Sequence, residues 1–306
     1  INSESYNYVS NYWHFLNIKN FKYILEDKGI ENYSVNIAKN YFTTLNPNNT
    51  EIKKAVENLK NEKTKLNINI FKKHDAFSYV ESINYNIILV LLFENLKKTE
   101  SFSKLENLKD IGFLGYSDPY LEIENLKITH DKLNSLFDFD YINKSVNTNK
   151  CDYILEIGAG SGRTSETLIT FNKKVKYVIC DIPPASYISY QRLKKTFPEK
   201  KIGLLYASKT IEELSKNISK NDISFIFPHQ LKSLKKIKFD LTIAIDCLHE
   251  MDKKIIKYYM DKINVISKNL YFKVWNETYL AYSFNNHLKA KDRKSYFIHI
   301  IFNYFF

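Results

Sequence analysis

Residues 153–168 read YILEIGAGSGRTSETL. A short apolar, β-rich run, YILEI, leads into three glycines and then into RTSETL, which opens a helical pattern. The chain has only seven glycines, and Gly158, Gly160 and Gly162 fall within five residues of one another. Glycine at such a junction permits a tight turn and a close backbone approach, and the helix that follows presents free N–H groups. The dinucleotide pattern G-x-G-x-x-G fails here, because its third position holds Arg163. The pattern present is E-x-G-x-G-x-G, with Glu156 two residues before the first glycine.

Outward from this loop, the second half of the chain alternates between two rhythms. The runs YILEIG, KYVICDI, IGLLYA, DISFIF, FDLTIAID and NLYFKVW read as buried strands. Between them SGRTSETLITF, PASYISYQRLKKTF, IEELSKNI and MDKKIIKYYMDKINVI read as amphipathic helices. Such alternation predicts an α/β fold, a parallel Rossmann-like sheet with helices on both faces, over residues 151–306. Residues 1–110 carry apolar positions at helical spacing in FKYILEDKGI, EIKKAVENLKNEKTKL and the stretch from Asp75 to Leu96. They predict a mostly helical N-terminal region, with a turn at Pro47 and a cap at Thr50. Residues 111–150 form a connection. There YLEIENLKI reads as a strand pair, Thr129 caps a helix over about 130–144, and SVNTNK is a polar linker.

Composition narrows the class. At 306 residues and 44% hydrophobic content the chain can bury a substantial core. The apolar run INYNIILVLLF at 83–93 is too short to span a bilayer. No signal-peptide pattern opens the chain, which starts on Ile1 and not on Met. Cys151, Cys180 and Cys247 sit in or beside apolar runs without C-x-x-C spacing, which points to buried reduced thiols in a cytoplasmic protein. The net charge of +11 lies wholly in the second half, since residues 1–150 hold 19 Lys against 19 acidic residues. Two readings follow: a half that faces an anionic partner, or solvated lysine-rich faces such as KSLKKIK. No RNA- or DNA-reading motif accompanies the charge, so no nucleic-acid partner is expected.

The glycine pattern, with Asp181 ending the next strand, resembles motif I of the class I methyltransferases, which bind S-adenosylmethionine. The runs DIPPASYISYQRLKKTFP (181–198), FPHQL (227–231), FDLTIAIDCLHEM (239–251) and YFKVW (271–275) are similar to a sugar O-methyltransferase family found in bacterial surface-polysaccharide gene sets. GYSDPYLEIENLKITHDKL (115–133) is similar to that family's entry segment. The resemblance covers about residues 110–276. It implies a class I methyltransferase sheet, S-adenosylmethionine as cofactor and a sugar hydroxyl as acceptor. Class I enzymes end in an antiparallel hairpin, for which TYLAYSF and SYFIHIIFNYFF are the available strands.

Candidate residues cluster at the predicted strand ends, where α/β sheets bind ligands. For the cofactor they are Glu156, Gly158, Ala159, Gly160, Gly162, Arg163, Asp181, Ile182, His229, Gln230 and Asp246. Asp181 can accept both ribose hydroxyls, and Ile182 can pack on the adenine face. Glu156 would face the cationic amino end of the methionine part. Arg163, a cation in a helix's first turn, calls for a carboxylate from cofactor or protein. Gln230 suits an adenine edge or, with His229, a structural turn after Pro228.

Of seven histidines, only His229 and His249 follow a predicted sheet strand in this half. His249, three residues after Asp246, is the candidate base; Glu250 would orient it or bond a sugar hydroxyl. The alternative is that both merely begin the next helix. Asp246 with His249 also resembles some magnesium-dependent sugar methyltransferases, but the only further acidic ligand is Glu277, a thin set, and no metal is assigned. The helical first half is expected to shape the acceptor pocket. Another small or phosphate-bearing acceptor, and a degenerate cofactor-binding protein without turnover, are the alternatives.

Overall fold

A computed structural model describes residues 9, 13, 21, 69–74, 78–108, 119–183, 185–208, 210–274 and 300–303. The chain divides into two compact units: Ile1–Lys22 with Ile142–Phe306, and Tyr23–Tyr141. In this division the first 22 residues group with the sheet.

Within the second unit, α1 (Tyr79–Leu96) begins later than the apolar pattern from Asp75 suggests. Its start is fixed by a capping box: the Ser78 hydroxyl accepts from Glu81 N at 3.3 Å, and Glu81 Oε2 accepts from Ser78 N at 2.8 Å. The expected strand pair is β1 (Leu121–Ile123) and β2 (Leu126–Ile128), antiparallel, turned by Glu124 and Asn125 at positive φ. Next comes α2 (His130–Ser145), capped as expected by the Thr129 hydroxyl, which accepts from Lys132 N. The predicted linker, which belongs to the first unit, contains a 3-10 turn, Thr148–Lys150, with Thr148 buried. FKYILEDKGI, EIKKAVENLKNEKTKL, Pro47 and Thr50 lie outside the described residues, apart from Phe21, which is helical.

The first unit holds the sheet. Its elements are β3 (Tyr153–Ile157), α3 (Arg163–Phe171), β4 (Lys176–Cys180), α4 (Ala185–Thr196), β5 (Ile202–Leu204), α5 (Ile211–Lys220), β6 (Ile223–Ile226), β7 (Leu241–Ile245), α6 (Lys253–Ile266), β8 (Asn269–Lys273) and β9 (Ile300–Asn303). The strand order is β5-β6-β4-β3-β7-β8-β9, parallel throughout except β9, which runs antiparallel to β8. This is the α/β fold read from the sequence. β9 falls in SYFIHIIFNYFF; TYLAYSF lies outside the described residues.

The strands are apolar on both sides because both sides are covered. β3, β4, β6 and β7 are buried almost without a break. Against them α6 packs Ile255, Tyr259, Ile263 and Ile266, and α5 packs Leu214 and Ile218, each at helical spacing. Each such side chain stabilises by about 1.5–3 kcal/mol through removal from water. All three cysteines are free and buried. Among the described residues, no helix is long and apolar enough to cross a membrane.

The sheet's amino ends are tied by carboxylates. Asp240 Oδ2 accepts from Asp152 N (2.8 Å) and Tyr153 N (3.1 Å), and its Oδ1 meets Lys268 Nζ at 2.7 Å. Asp222 does the same for Lys201 N and Lys176 Nζ. Burial raises both acids' proton affinity, yet these hydrogen bonds and ammonium groups prevail and hold both below the ordinary carboxylate value.

Candidate active site

From β3 the chain first fills one side of the sheet with β4, β5 and β6, then the other side with β7 and β8. In α/β sheets ligands bind outside the strands' carboxyl ends beside such a reversal, which here means the loops after β3 and β7. Most of the residues singled out from the sequence meet along this edge.

The glycine loop is fixed from both sides. Gly158 N donates to Cys180 O at 2.9 Å, and Cys247 Sγ meets Ile157 O at 3.3 Å. A Cβ on Gly158 would lie 2.7 Å from Cys247 Cβ, so β3 and β7 can approach this closely only with glycine there. Gly162, at φ +79°, caps α3 against α4, where a Cβ would stand 3.0 Å from Ser189 Cβ. Gly160 differs. It too has a left-handed φ, +56°, but a Cβ there would meet no described atom within 4 Å. Its backbone faces open space. Ala159, between them, is buried.

Gly160 N donates to Asp181 Oδ2 at 2.8 Å, and Ile182 N donates to Oδ1 at 2.7 Å. The loop after β3 is thereby joined to the end of β4 through one buried carboxylate. Burial drives the Asp181 carboxyl up to about 7, against these two N–H donors and with Glu156 adding to the rise. A carboxylate offers about four lone-pair positions, so two remain for further donors. Two ribose hydroxyls are donors of the right kind, and they would favour the ionised form. Together with the open space at Gly160, this donor set fits an adenosyl group.

Glu156 is buried and takes the Ser165 hydroxyl and, at 2.9 Å, the Tyr177 hydroxyl. Neither donor is marked by any local pattern in the sequence. Part of its bonding capacity is therefore taken by α3 and β4, whereas the expectation turned Glu156 towards a ligand's amino group. Arg163, the first residue of α3, has its carboxylate in Asp246, 3.6 Å from its guanidinium. Lys273, at the end of β8, stands 3.6 Å from the same oxygen. Asp246 is a non-glycine residue at φ +54°, a conformation that costs about 1–2 kcal/mol. It is held there by its N–H on Lys273 O at 2.9 Å. Strain of this kind at a strand end favours a functional position.

His249 and Glu250 belong to a 3-10 turn, Leu248–Glu250, that precedes α6 and is separate from it. Buried Leu248 anchors the turn. His249 Nε2 stands 3.9 Å from Glu250 Oε1, and Trp13 Nε1 donates to Glu250 Oε2 at 2.7 Å. Burial pushes the His249 imidazole down to about 4, with Asp246 opposing, so it is neutral at physiological pH. Burial pushes Glu250 up to about 7, the Trp13 N–H opposes, and Asp246 and Asp181 add to the rise. Trp13 was invisible as a site residue: it lies 237 positions from Glu250, and no local pattern marks it.

The loop after β6 is built for rigidity. Gln230 Oε1 accepts from Phe227 N and its Nε2 donates to Leu205 O, both at 2.9 Å, so the amide closes the turn after Pro228. Of the two sequence readings for Gln230, this geometry favours the structural turn. Half-buried His229 lies tilted against Phe227 at 6.0 Å, and Phe227 stacks on Tyr206 at 4.0 Å and 8°. Burial raises the Tyr206 hydroxyl to about 12, with nearby Ser186 opposing and Asp181 adding to the rise. Tyr206 was a second residue the sequence did not single out. Glu277, the other acid considered for a magnesium site, lies outside the described residues.

No family model and no curated protein matches the chain. Parts of solved structures do. A Thermoplasma acidophilum protein is 13% identical, with a TM-score of 0.32, over 47% of this chain and 61% of its own. PKMT2 from Rickettsia typhi, in complex with AdoHcy, is 10% identical, with a TM-score of 0.32, over 44% of this chain and 24% of its own. The O-methyltransferase NcsB1 from neocarzinostatin biosynthesis, in complex with SAH and 1,4-dihydroxy-2-naphthoic acid, is 13% identical, with a TM-score of 0.31, over 47% and 39%. The chain thus spans less than two thirds of the length of each.

Proposed function

We propose that the chain is an S-adenosylmethionine-dependent O-methyltransferase, and that its acceptor is a sugar hydroxyl in the cytoplasmic assembly of bacterial surface polysaccharide. The observation that carries the cofactor reading is the joint between Gly160 and Asp181: a left-handed glycine facing open space, with its N–H on a buried carboxylate at 2.8 Å. The sugar rests on the resemblance of DIPPASYISYQRLKKTFP and FDLTIAIDCLHEM.

When bound, S-adenosylmethionine supplies an electrophilic methyl group on a positively charged sulfur. The protein's own part is binding, alignment and proton removal. Asp181 takes the ribose hydroxyls, and half-buried Ile182 packs on the adenine. Gly158, Ala159, Gly160 and Gly162 let the backbone close around the adenosyl and methionine parts. Arg163 and Asp246, already opposed in charge at 3.6 Å, face the carboxylate and the ammonium of the amino-acid end. Glu156 supports that end from behind, through the loop it anchors. His229 and Gln230 shape the wall after β6. Neutral His249 removes the acceptor's proton, and the Glu250 carboxylate stabilises the resulting imidazolium.

Calorimetric titration with S-adenosylhomocysteine, with NAD as control, tests the cofactor reading. Saturable binding of the first alone is expected; binding of NAD instead would overturn it. Sugar acceptors, free and nucleotide-linked, are then screened for turnover, and His249→Ala should lower the rate about 100-fold or more while binding persists. An unchanged rate removes His249 as base. A phosphate-bearing acceptor is the second reading, favoured by Lys273 beside Asp246 at the same strand ends. Binding without turnover on any acceptor class would instead favour a degenerate, cofactor-binding protein.

A further inference from the structure

We infer that Trp13 is a positioning residue: its indole N–H holds one oxygen of Glu250 so that the other faces His249, making a Trp–Glu–His relay beside the strand ends. The inference rests on the methyltransferase reading for its purpose and on geometry for its existence. Trp13 Nε1 donates to Oε2 at 2.7 Å, and His249 Nε2 stands 3.9 Å from Oε1. Each carboxylate oxygen thus has its own neighbour. The contact is made within one compact unit, since residues 1–22 cluster with the sheet. The turn Leu248–Glu250 fixes the backbone beneath it, with Glu250 N on Cys247 O at 3.2 Å and Met251 N on Leu248 O at 3.2 Å.

The chemistry needs such a holder. A buried imidazole resists taking a proton unless a carboxylate beside it stabilises the charge that forms. The acceptor's hydroxyl proton would pass to the imidazole and leave an imidazolium next to Glu250. That carboxylate is itself 84% covered at its side chain, with 16% exposed, and an unsupported carboxylate so placed would protonate and lose its effect. Among the described residues, the groups facing Glu250 are His249, Trp13, Asp246 and Asp181, with the Cys247 thiol held well above its ordinary value. Of these, Trp13 is the neutral donor that favours the ionised carboxylate without competing for its charge.

The test needs no acceptor. The chain has two tryptophans, so Trp275→Phe leaves Trp13 as the sole indole emitter. Trp13 emission is expected to titrate with a midpoint near pH 7, and Glu250→Gln should abolish that inflection. In 15N-histidine spectra the His249 signal, identified by its loss in His249→Gln, should move with the same midpoint, the signature of one coupled pair. Trp13→Phe keeps an aromatic ring and deletes the N–H; it should move the His249 inflection upward by about one pH unit. Trp13 emission that is flat from pH 5 to 9, or an inflection that survives Glu250→Gln, would overturn the contact. A His249 midpoint unmoved in Trp13→Phe would overturn the positioning role. Should Glu250→Gln not fold, Trp13→Phe alone decides. Titration of the wild-type protein with S-adenosylhomocysteine separates the two ideas: absent binding with intact inflections would remove the methyltransferase reading and leave the Trp13–Glu250–His249 contact standing.

Discussion

The three loop glycines are alike in sequence and different in surroundings, and alanine at Gly158 and Gly160 separates two of them. Gly158→Ala combines a left-handed φ with a Cβ 2.7 Å from Cys247 Cβ, and should destabilise by about 3 kcal/mol or more. Gly160→Ala meets only the backbone penalty, about 1–2 kcal/mol. Its Cβ, however, enters the space beside Asp181 and should remove S-adenosylhomocysteine binding. Thermal denaturation and calorimetry on the two variants check the contrast: one loses stability most, the other loses the ligand. Asp246 carries a different lesson at the same scale. Its positive φ is tolerable because a short polar side chain is among the few that visit this region, and its carboxylate is what Arg163 and Lys273 both face.

Among the elements, α3 and α4 are locked together by a buried pair. Arg192 Nε stands 2.5 Å from Glu166 Oε2, with the side chains only 10% and 5% exposed. Gly162 lets α4 approach the start of α3, and the ion pair fixes its rotation; Ser161 lies beside the same guanidinium at 3.5 Å. Arg192→Met should cost about 3–5 kcal/mol, because it strands a buried carboxylate. The double variant with Glu166→Met should recover much of that loss. Urea unfolding of the two gives the comparison. An undiminished stability in the single variant would mean that Glu166 finds other support. Since α3 begins at Arg163, loosening this pair should also weaken ligand binding at the glycine loop.

At the scale of the molecule, the two ends of the sheet treat carboxylates in opposite ways. Asp222 and Asp240, at the amino ends, are held low against burial by N–H groups and lysines. Their stabilisation is present above the ordinary carboxylate value and is lost as pH falls. Asp181 and Glu250, at the carboxyl ends, are raised by burial to about 7. For a raised acid the folded state binds more protons, so stability falls as pH rises from about 4 to about 7. Asp181→Asn removes the titrating group but can accept from only one of Gly160 N and Ile182 N, so it should melt below the parent at pH 4 and close that gap towards pH 8. The same variant should bind S-adenosylhomocysteine more weakly. Melting curves across this range, with and without ligand, decide it; a difference independent of pH would show that Asp181 is not the titrating group. Raised acids at the carboxyl edge are what the proposed binding site there would require.

How much of this was legible beforehand depends on the range of the forces concerned. The six parallel strands and the four helices between them were readable because burial on both faces imposes continuous apolar runs, and one-sided burial imposes helical spacing. That the glycine loop, Asp181, Asp246 and His249 would stand just past the strands' carboxyl ends was readable because each follows an apolar, strand-like run. Glu156 could be named but its neighbours could not, since Ser165 and Tyr177 reach it from α3 and from β4. For Gln230, composition allowed two roles; the turn geometry favours one. Trp13 had no signal at all. The sequence by itself determined the order of elements and the chemistry offered at each strand end, because these follow from local periodicity. Only the tertiary structure decided which charges oppose one another and which acids are buried into raised proton affinity. Those outcomes depend on desolvation and distance between residues far apart in the chain, as with Trp13 and Glu250.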